Sequence, residues 1–91
     1  MAIRVEFFGI ARQRAGVGQT AVVTSGSSML LGDLLSQVGS QFPAVAADCL
    51  AGDRPRTGYI VNLAGRRFVS EPSTLINDGD CVLLLSADGG G

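Results

Sequence analysis

The feature that most constrains the fold is an uncharged apolar run near the end of the chain, Cys81-Val82-Leu83-Leu84-Leu85. A strand with one face in water alternates apolar with polar residues, whereas an unbroken apolar run is typical of a strand buried on both faces. We therefore predict a central strand here with both faces covered. A chain of 91 residues has room for a single domain with a small core, so we expect residues 1–91 to form one domain around this strand.

The segment after this run is predicted to be a tail. Ser86-Ala87-Asp88 is followed by three glycines, Gly89, Gly90 and Gly91. Glycine loses more conformational freedom on ordering than any other residue, so we predict that residues 86–91 are a mobile C-terminal tail. A thin tail with a free carboxylate, continuing from a buried strand, is suited to enter the active site of another protein. The glycines alone leave open that this is a frayed end without a chemical role.

Charge and hydropathy exclude several classes of partner. The formal net charge is −1, whereas a basic surface is typical of nucleic-acid binding. No apolar run approaches the roughly 20 residues that span a bilayer, and the first residues lack the long apolar core of a secretory signal. We therefore expect a cytoplasmic protein that binds neither nucleic acid nor a membrane.

The chain lacks the side chains on which most catalytic sites depend. It has no histidine, and all seven of its basic residues are arginines, so there is no Ser/His or Cys/His nucleophile and no Schiff-base lysine. Cys49 and Cys81 are far apart, with no CxxC spacing and no histidine to complete a metal site. We interpret both cysteines as buried apolar residues. The chain is not expected to be an enzyme on its own, or to bind a metal or cofactor.

The first third of the chain is predicted to be a β-hairpin with a helical turn between its strands. Ile3 to Phe7 alternates apolar with charged residues, which puts Ile3, Val5 and Phe7 in the core. Phe8 then points outward, where it either packs under a helix or joins an exposed partner patch. We expect a helical turn over residues 9–16, with Arg12 and Arg14 solvated, and a second strand over residues 19–24.

The remaining elements follow from periodicity and turn residues. Ser25 to Ser28 is predicted to be a turn whose hydroxyls cap a helix. That helix carries one apolar stripe, formed by Leu31, Leu34, Leu35, Val38 and Phe42. The other predictions are a short helix at 43–50, a polar loop at 51–58 with Arg54 and Arg56 solvated, strands at 59–63 and 66–69, and turns at 72–76 and 77–80.

This order of elements predicts an α+β fold. A helix between the first and last strands supplies the crossover that a parallel pair needs, so we expect these two strands to lie side by side in the middle of the sheet. A mixed sheet with one long helix across a face is the β-grasp, or ubiquitin-like, arrangement.

Several motifs resemble one family of such proteins. They are Phe7-Phe8-x-x-x-Arg12-x-x-x-Gly16, Val61-Asn62, Leu75-x-x-Asp78-Gly79-Asp80 and the terminal Gly90-Gly91. In this order the motifs look like the small subunit of molybdopterin synthase, a relative of the thiamin-pathway sulfur carrier and of other ubiquitin-like sulfur carriers. The likeness covers nearly the whole chain.

The resemblance implies a mechanism and a set of partners. An E1-like activating enzyme would use ATP to adenylate the carboxyl group of Gly91, which then becomes a thiocarboxylate. Inside the large subunit of molybdopterin synthase, that group would donate sulfur for molybdenum cofactor biosynthesis, and Gly89 and Gly90 would give the tail access. The resemblance also implies that Phe8, Phe68 and Leu85 face these partners, although each could instead belong to the core.

The chain departs from the molybdopterin pattern near the tail and at one position near its start. Ser86-Ala87 stands where two prolines are common, Asp88 where an apolar residue is frequent, and Gln13 where a glutamate is common, and Gly89 is an additional glycine. These departures leave the pathway open. The alternatives are a sulfur carrier for thiamin or another sulfur-containing metabolite, and a ubiquitin-like protein modifier or binding module.

Overall fold

The computed structural model of the chain describes residues 2–87, which form nine strands and three helices. The strands are β1 (Ala2–Phe7), β2 (Gln19–Val23), β3 (Ser28–Leu30), β4 (Leu50–Ala51), β5 (Arg54–Pro55), β6 (Tyr59–Leu63), β7 (Arg67–Val69), β8 (Leu75–Asn77) and β9 (Cys81–Ser86). The helices are α1 (Ile10–Ala15), α2 (Leu31–Gln41) and α3 (Pro43–Cys49).

Five strands form one mixed sheet in the order β2-β1-β9-β6-β7. The first and last strands are parallel neighbours, with Val5 paired to Val82, and β1 and β2 form the predicted antiparallel hairpin. On the other side of β9, strand β6 runs antiparallel and pairs with the edge strand β7. The predicted β-grasp arrangement is confirmed: the first and last strands of the sequence lie side by side in the centre of the sheet.

The core lies between this sheet and the helices. The predicted stripe on α2 is confirmed, since Leu31, Leu34, Leu35 and Val38 are fully buried. They pack with the inward residues of β1 and with Val45 and Cys49 of α3 in one apolar cluster. Phe42, just after α2, is half-buried, and its ring meets that of Phe7 edge-on at 5.3 Å between ring centroids.

The prediction that β9 is buried on both faces is wrong. Burial alternates along the strand: Val82, Leu84 and Ser86 are buried, and the three residues between them, Cys81, Leu83 and Leu85, are half-buried. The helices cover only one face of the sheet, so the other face is shielded from the sides by neighbouring strands and is otherwise open. The apolar run therefore reflects a second apolar surface and not a second layer of core.

The predicted serine cap of α2 is also wrong. Ser28 belongs to β3, which pairs antiparallel with β8, and no side chain caps the helix at Leu30. The amides of Leu31 and Gly32 donate instead to the carbonyl oxygens of Thr74 (2.8 Å) and Pro72 (3.0 Å). A neighbouring chain segment thus satisfies amides that have no partner within the helix. The predicted turn at 72–76 accordingly ends in a strand, β8.

The four arginines predicted to be solvated are exposed, as expected, but two of them, Arg14 and Arg56, also join neighbouring segments. Within the polar loop, β4 and β5 pair antiparallel, and Arg56 Nη2 donates a hydrogen bond to the Ala47 carbonyl oxygen at 2.9 Å. Arg14 forms an ion pair with Asp48, which joins α1 to α3. The predicted glycine at the end of α1 is confirmed, because Gly16 has the left-handed backbone with φ 76°.

The prediction that the tail includes residue 86 is wrong. Ser86 is the last residue of β9 and is 8% exposed, so it belongs to the sheet. Ala87 is the last described residue. The prediction of a mobile tail concerns Asp88, Gly89, Gly90 and Gly91, which lie outside the described residues, as does Met1.

Candidate docking face beside the C-terminal tail

One side of the five-stranded sheet, which we call the open face, is not covered by any helix of residues 2–87. The alternation of side chains places Glu6 and Leu83 on it, because their neighbours along the strands are buried in the core. A row of cross-strand partners follows from these two residues. Glu6 pairs with Leu83, Leu83 with Asn62, and Asn62 with Phe68 of the edge strand β7.

The end of the open face from which the tail continues is apolar. Leu85, the last open-face residue of β9, pairs with Ile60 of β6. Phe8 continues the alternation of β1 onto this face, and its amide donates to the Leu84 carbonyl oxygen at 3.0 Å, which brings it beside Leu85. Phe8 is 39% exposed, and Leu85 is half-buried.

Phe68 completes the apolar part of the open face. It lies one row away from Leu85, on β7, and is 67% exposed. The structure therefore brings together on one surface the three residues that the sequence resemblance singled out, Phe8, Phe68 and Leu85, and none of them is in the core. We refer to these three residues with Ile60 and Leu83 as the apolar patch.

Sequence reasoning missed Ile60 and Leu83. The uncharged apolar run of β9 predicts that Leu83 is in the core, together with its neighbours. The signal that could have found Ile60 lies in β6, where Ile60 and Asn62 alternate with the buried Val61 and Leu63. A polar residue in that register marks the face opposite the core.

The opposite end of the open face carries a polar cluster. Arg4 Nε lies 3.0 Å from Glu6 Oε2, and the Cys81 thiol donates a hydrogen bond to the same carboxylate oxygen at 3.4 Å. Burial, and then the hydrogen bond to Glu6 and the charge of Glu6, raise the pKa of Cys81, although the nearby Arg4 acts in the opposite direction. The thiol thus keeps its proton at neutral pH and is a poor nucleophile.

The second cysteine is structural. Cys49 is fully buried, as predicted, and burial raises the pKa of its thiol. Among residues 2–87, no group of cysteine and acidic side chains could hold a metal ion. Over the same residues, no helix has the length and apolar character needed to cross a bilayer.

The last described residues fix the position from which the tail continues. Ser86 pairs with Tyr59 at the beginning of β6, and the amide of Ala87 donates to the Gly58 carbonyl oxygen at 2.8 Å. Ala87 is exposed and lies two residues after Leu85, just beyond the pair of Ser86 with Tyr59. The chain therefore leaves the sheet beside the apolar patch, and the predicted site residues Gly89, Gly90 and Gly91 come two to four residues further on.

Comparisons with known proteins define the fold. No family model matches the chain, and no curated protein sequence matches it. The crystal structure of the small archaeal modifier protein SAMP1 from Haloferax volcanii is similar over 100% of both chains, with 20% identity and a TM-score of 0.82. A putative molybdopterin converting factor, subunit 1, from Pyrococcus furiosus is similar over 94% of this chain and 97% of its own, with 20% identity and a TM-score of 0.76.

A third similar chain belongs to the crystal structure of the BexX/CysO complex from Amycolatopsis orientalis. It shares 22% identity over 99% of this chain and 100% of its own, with a TM-score of 0.71. With the sheet order and the helix packing, these likenesses show that the chain has the ubiquitin-like β-grasp fold. Within that fold, its structural neighbours include a small archaeal modifier protein and a putative molybdopterin converting factor subunit.

Proposed function

We propose that this protein is a sulfur carrier that works through the carboxyl group of Gly91. The observation that best supports the proposal is the position of the apolar patch. It adjoins the end of β9, the strand that continues into Gly89-Gly90-Gly91. A partner that binds the patch would therefore receive the end of the chain close to its own surface.

The chemistry of a terminal carboxyl group requires such a partner. A C-terminal carboxylate has a pKa of about 3.5 and is ionised at neutral pH, which makes it a poor electrophile. An E1-like activating enzyme would use ATP to form the acyl-adenylate with release of pyrophosphate, and attack of sulfide-level sulfur on the acyl carbon would displace AMP to give a thiocarboxylate. The chain supplies the group and the partner supplies the catalysis, in keeping with a sequence that has neither histidine nor lysine.

The patch has the properties of a protein-binding surface. Exposed aromatic residues are enriched at interfaces, and Phe68 is 67% exposed on a strand that is otherwise polar at the surface. Leu85 on β9 and Phe8 at the end of β1 lie on the same face of the sheet as Phe68, so one partner could cover all three. We propose that the activating enzyme and the large subunit of a synthase bind here in turn, since both need the same tail.

We propose molybdopterin as the product that receives the sulfur, with the large subunit of molybdopterin synthase as the second partner. The motifs in the sequence support this assignment, as does the similarity to a putative molybdopterin converting factor subunit. The similarity to a chain of the BexX/CysO complex keeps another sulfur-containing product, or thiamin, as the alternative. In each case the first step, loading of Gly91, is the same, and we expect the protein to act in the cytoplasm.

A protein modifier is the second candidate, favoured by the similarity to SAMP1. A modifier would join its terminal carboxyl group to lysine side chains of other proteins through isopeptide bonds. The chain has no lysine of its own, so it could not form polymers linked through its own side chains.

Intact-mass measurement would test the proposal. After incubation with ATP, the activating enzyme from the same cell and a sulfur source, we expect a gain of about 16 Da, the replacement of one oxygen by sulfur. A variant that lacks Gly91 should fold and gain nothing. Failure of the full chain to gain this mass, or loading of the truncated chain, would contradict the proposal, and adducts on lysines of other proteins would favour the modifier.

A matched pair of variants would test the patch. Phe68→Asp should strongly slow loading because it puts a charge into the apolar interface. Leu75→Asp is the control, since Leu75 is 55% exposed but lies on β8, in a separate two-stranded sheet. Equal loading of the two variants would mean that the patch does not bind the activating enzyme. Adding purified large subunit and precursor to the loaded protein would then test the pathway.

A further inference from the structure

The outer edge of β2 lacks the protection that edge strands usually carry. Within residues 2–87, β2 pairs only with β1. Natural edge strands are blunted by charged side chains, proline or very short length, because a bare edge is a template for pairing with another chain. The opposite edge, β7, has three residues and carries Arg67 directly after Arg66. In contrast, β2 has five residues, Gln19-Thr20-Ala21-Val22-Val23, with no charge and no proline.

The backbone of β2 presents three evenly spaced residues to this edge. The Phe7 amide donates to the Gly18 carbonyl oxygen at 2.9 Å, which fixes the alternation of the antiparallel ladder. Thr20 and Val22 therefore exchange their backbone hydrogen bonds with β1, and the backbone groups of Gln19, Ala21 and Val23 point away from it. Ala21 is the midpoint of this set.

We propose that a second copy of this chain pairs with β2 through this edge, antiparallel and with Ala21 opposite Ala21 of the second copy. In that register Gln19 of each copy lies opposite Val23 of the other. Every outward amide and carbonyl group of the three residues then has a partner. The two five-stranded sheets become one ten-stranded sheet with a two-fold axis at Ala21, an isologous interface.

The surface beside this edge is also suited to contact the same surface of a second copy, because it carries little charge. Helix α2 adjoins β2, and Gln41 Nε2 donates to Thr20 Oγ1 at 3.2 Å. The exposed residues near that contact are small or uncharged, Ser36, Gln37, Ser40 and Gln41. Asp33, in the first turn, is the single charged residue of α2. Because the two-fold axis would bring one α2 towards the other, the lack of charge avoids like-charge repulsion across the interface.

An apolar anchor lies at the end of the strand. Val23 is 74% exposed, and in the proposed register it contacts the aliphatic part of Gln19 from the other copy. The pairing leaves the proposed sulfur-carrier site accessible, because β1 separates β2 from β9. A dimer would thus carry two independent tails. The dimer neither requires nor excludes the loading of Gly91.

Sedimentation velocity of the full chain from about 1 μM to about 1 mM would test the proposal. We expect a reversible, concentration-dependent dimer of modest affinity, because a strand edge and one helix face form a small interface. Hydrogen exchange should show slower exchange in the dimer at the amides of Gln19, Ala21 and Val23. A chain that stays monomeric at about 1 mM, or protection at other strands alone, would overturn the proposal.

Charged substitutions at Ala21 would test the register of the proposed dimer, and mixing two oppositely charged variants should restore dimerisation. Ala21→Lys places two ammonium groups against each other at the axis and should weaken the dimer at least tenfold, or about 1.4 kcal/mol. Ala21→Glu should do the same, and an equimolar mixture of the two variants should dimerise again. Phe68→Lys is the control. Phe68 lies on β7, the edge strand opposite β2, so this variant should leave dimerisation unchanged. A dimer that is indifferent to Ala21→Lys, or a mixture that fails to recover, would refute the register.

Discussion

The backbone amide of Ala87 donates a hydrogen bond to the carbonyl oxygen of Gly58, 2.8 Å away. This bond fixes the position from which the chain leaves the sheet, and it depends on an unusual backbone, because Gly58 has φ 97°. A Cβ atom at Gly58 would meet no atom within 4 Å. Any cost of a side chain there therefore comes from the backbone conformation alone.

We predict that Gly58→Ala lowers the free energy of unfolding by about 1–2 kcal/mol, the cost of a left-handed backbone for a residue with a side chain. Urea unfolding would measure it. Gly26→Ala is the matched control, since Gly26 also has open space around it but no positive φ. That control should stay within about 0.5 kcal/mol of the parent chain. Similar values for the two variants would contradict the explanation.

Adjacent leucines in β9 should differ greatly in their contribution to stability. Leu84 is fully buried between sheet and helices, whereas Leu83 is half-buried on the open face. We expect Leu84→Ala to cost about 2–5 kcal/mol. Leu83→Ala should cost about 1 kcal/mol or less, because it leaves no enclosed cavity. The urea midpoints of the two variants would measure this difference. Equal losses of unfolding free energy would mean that both faces of β9 are covered.

The turn between β6 and β7 offers a stabilising change. Ala64 has φ 58° and is the single non-glycine residue of positive φ in the part of the chain that the structure describes, and Gly65 follows with φ 73°. Two successive positive φ values favour Asn-Gly in a tight hairpin. We predict that Ala64→Asn raises the free energy of unfolding by about 0.5–1 kcal/mol. Ala64→Val should lower it, because a β-branched residue tolerates this backbone least. The opposite order in thermal unfolding would rule out strain at Ala64.

The thiol of Cys81 should respond in opposite directions to its two charged neighbours. Burial and Glu6 raise the pKa of this thiol, and Arg4 lowers it. We therefore expect alkylation by iodoacetamide to reach half of its maximal rate at a pH above that of an unfolded thiol. Glu6→Gln should move this midpoint to lower pH, and Arg4→Gln should move it to higher pH.

Mass mapping would separate Cys81 from Cys49, which is fully buried and should react only on unfolding. Shifts of the same sign in the two variants would mean that a structural change, and not charge, controls the thiol.

Local patterns in the sequence were sufficient for the elements that carry strong periodicity. The stripe on α2 and the alternation of β1 each predict a face that the structure buries, and the crossover argument places β1 beside β9. Ser28 shows where local reasoning fails. Its hydroxyl is well suited to a helix cap, but pairing of β3 with the distant β8 uses that segment instead. Such a long-range partner leaves no local signal.

The candidate site was also predictable only in part, where local alternation or the family resemblance pointed to a residue. Phe8 could be assigned to the outward face from alternation, and the resemblance added Phe68 and Leu85. The error on Leu83 arose because an apolar run does not distinguish a second core layer from an apolar surface. Only the arrangement of the helices on one side of the sheet separates these two cases.

The parallel pairing of β1 with β9 also bears on how the chain folds. The two strands are separated by nearly the whole sequence, yet among the strands that the structure describes β9 alone connects β1 with β6 in the sheet. Contacts between distant segments slow folding, because a long loop must close before they form. The pairs β1–β2 and β6–β7 can form locally, but they become one sheet only when β9 lies between them. We therefore expect cooperative and comparatively slow folding in which the main sheet is completed only after residues 81–86 are available.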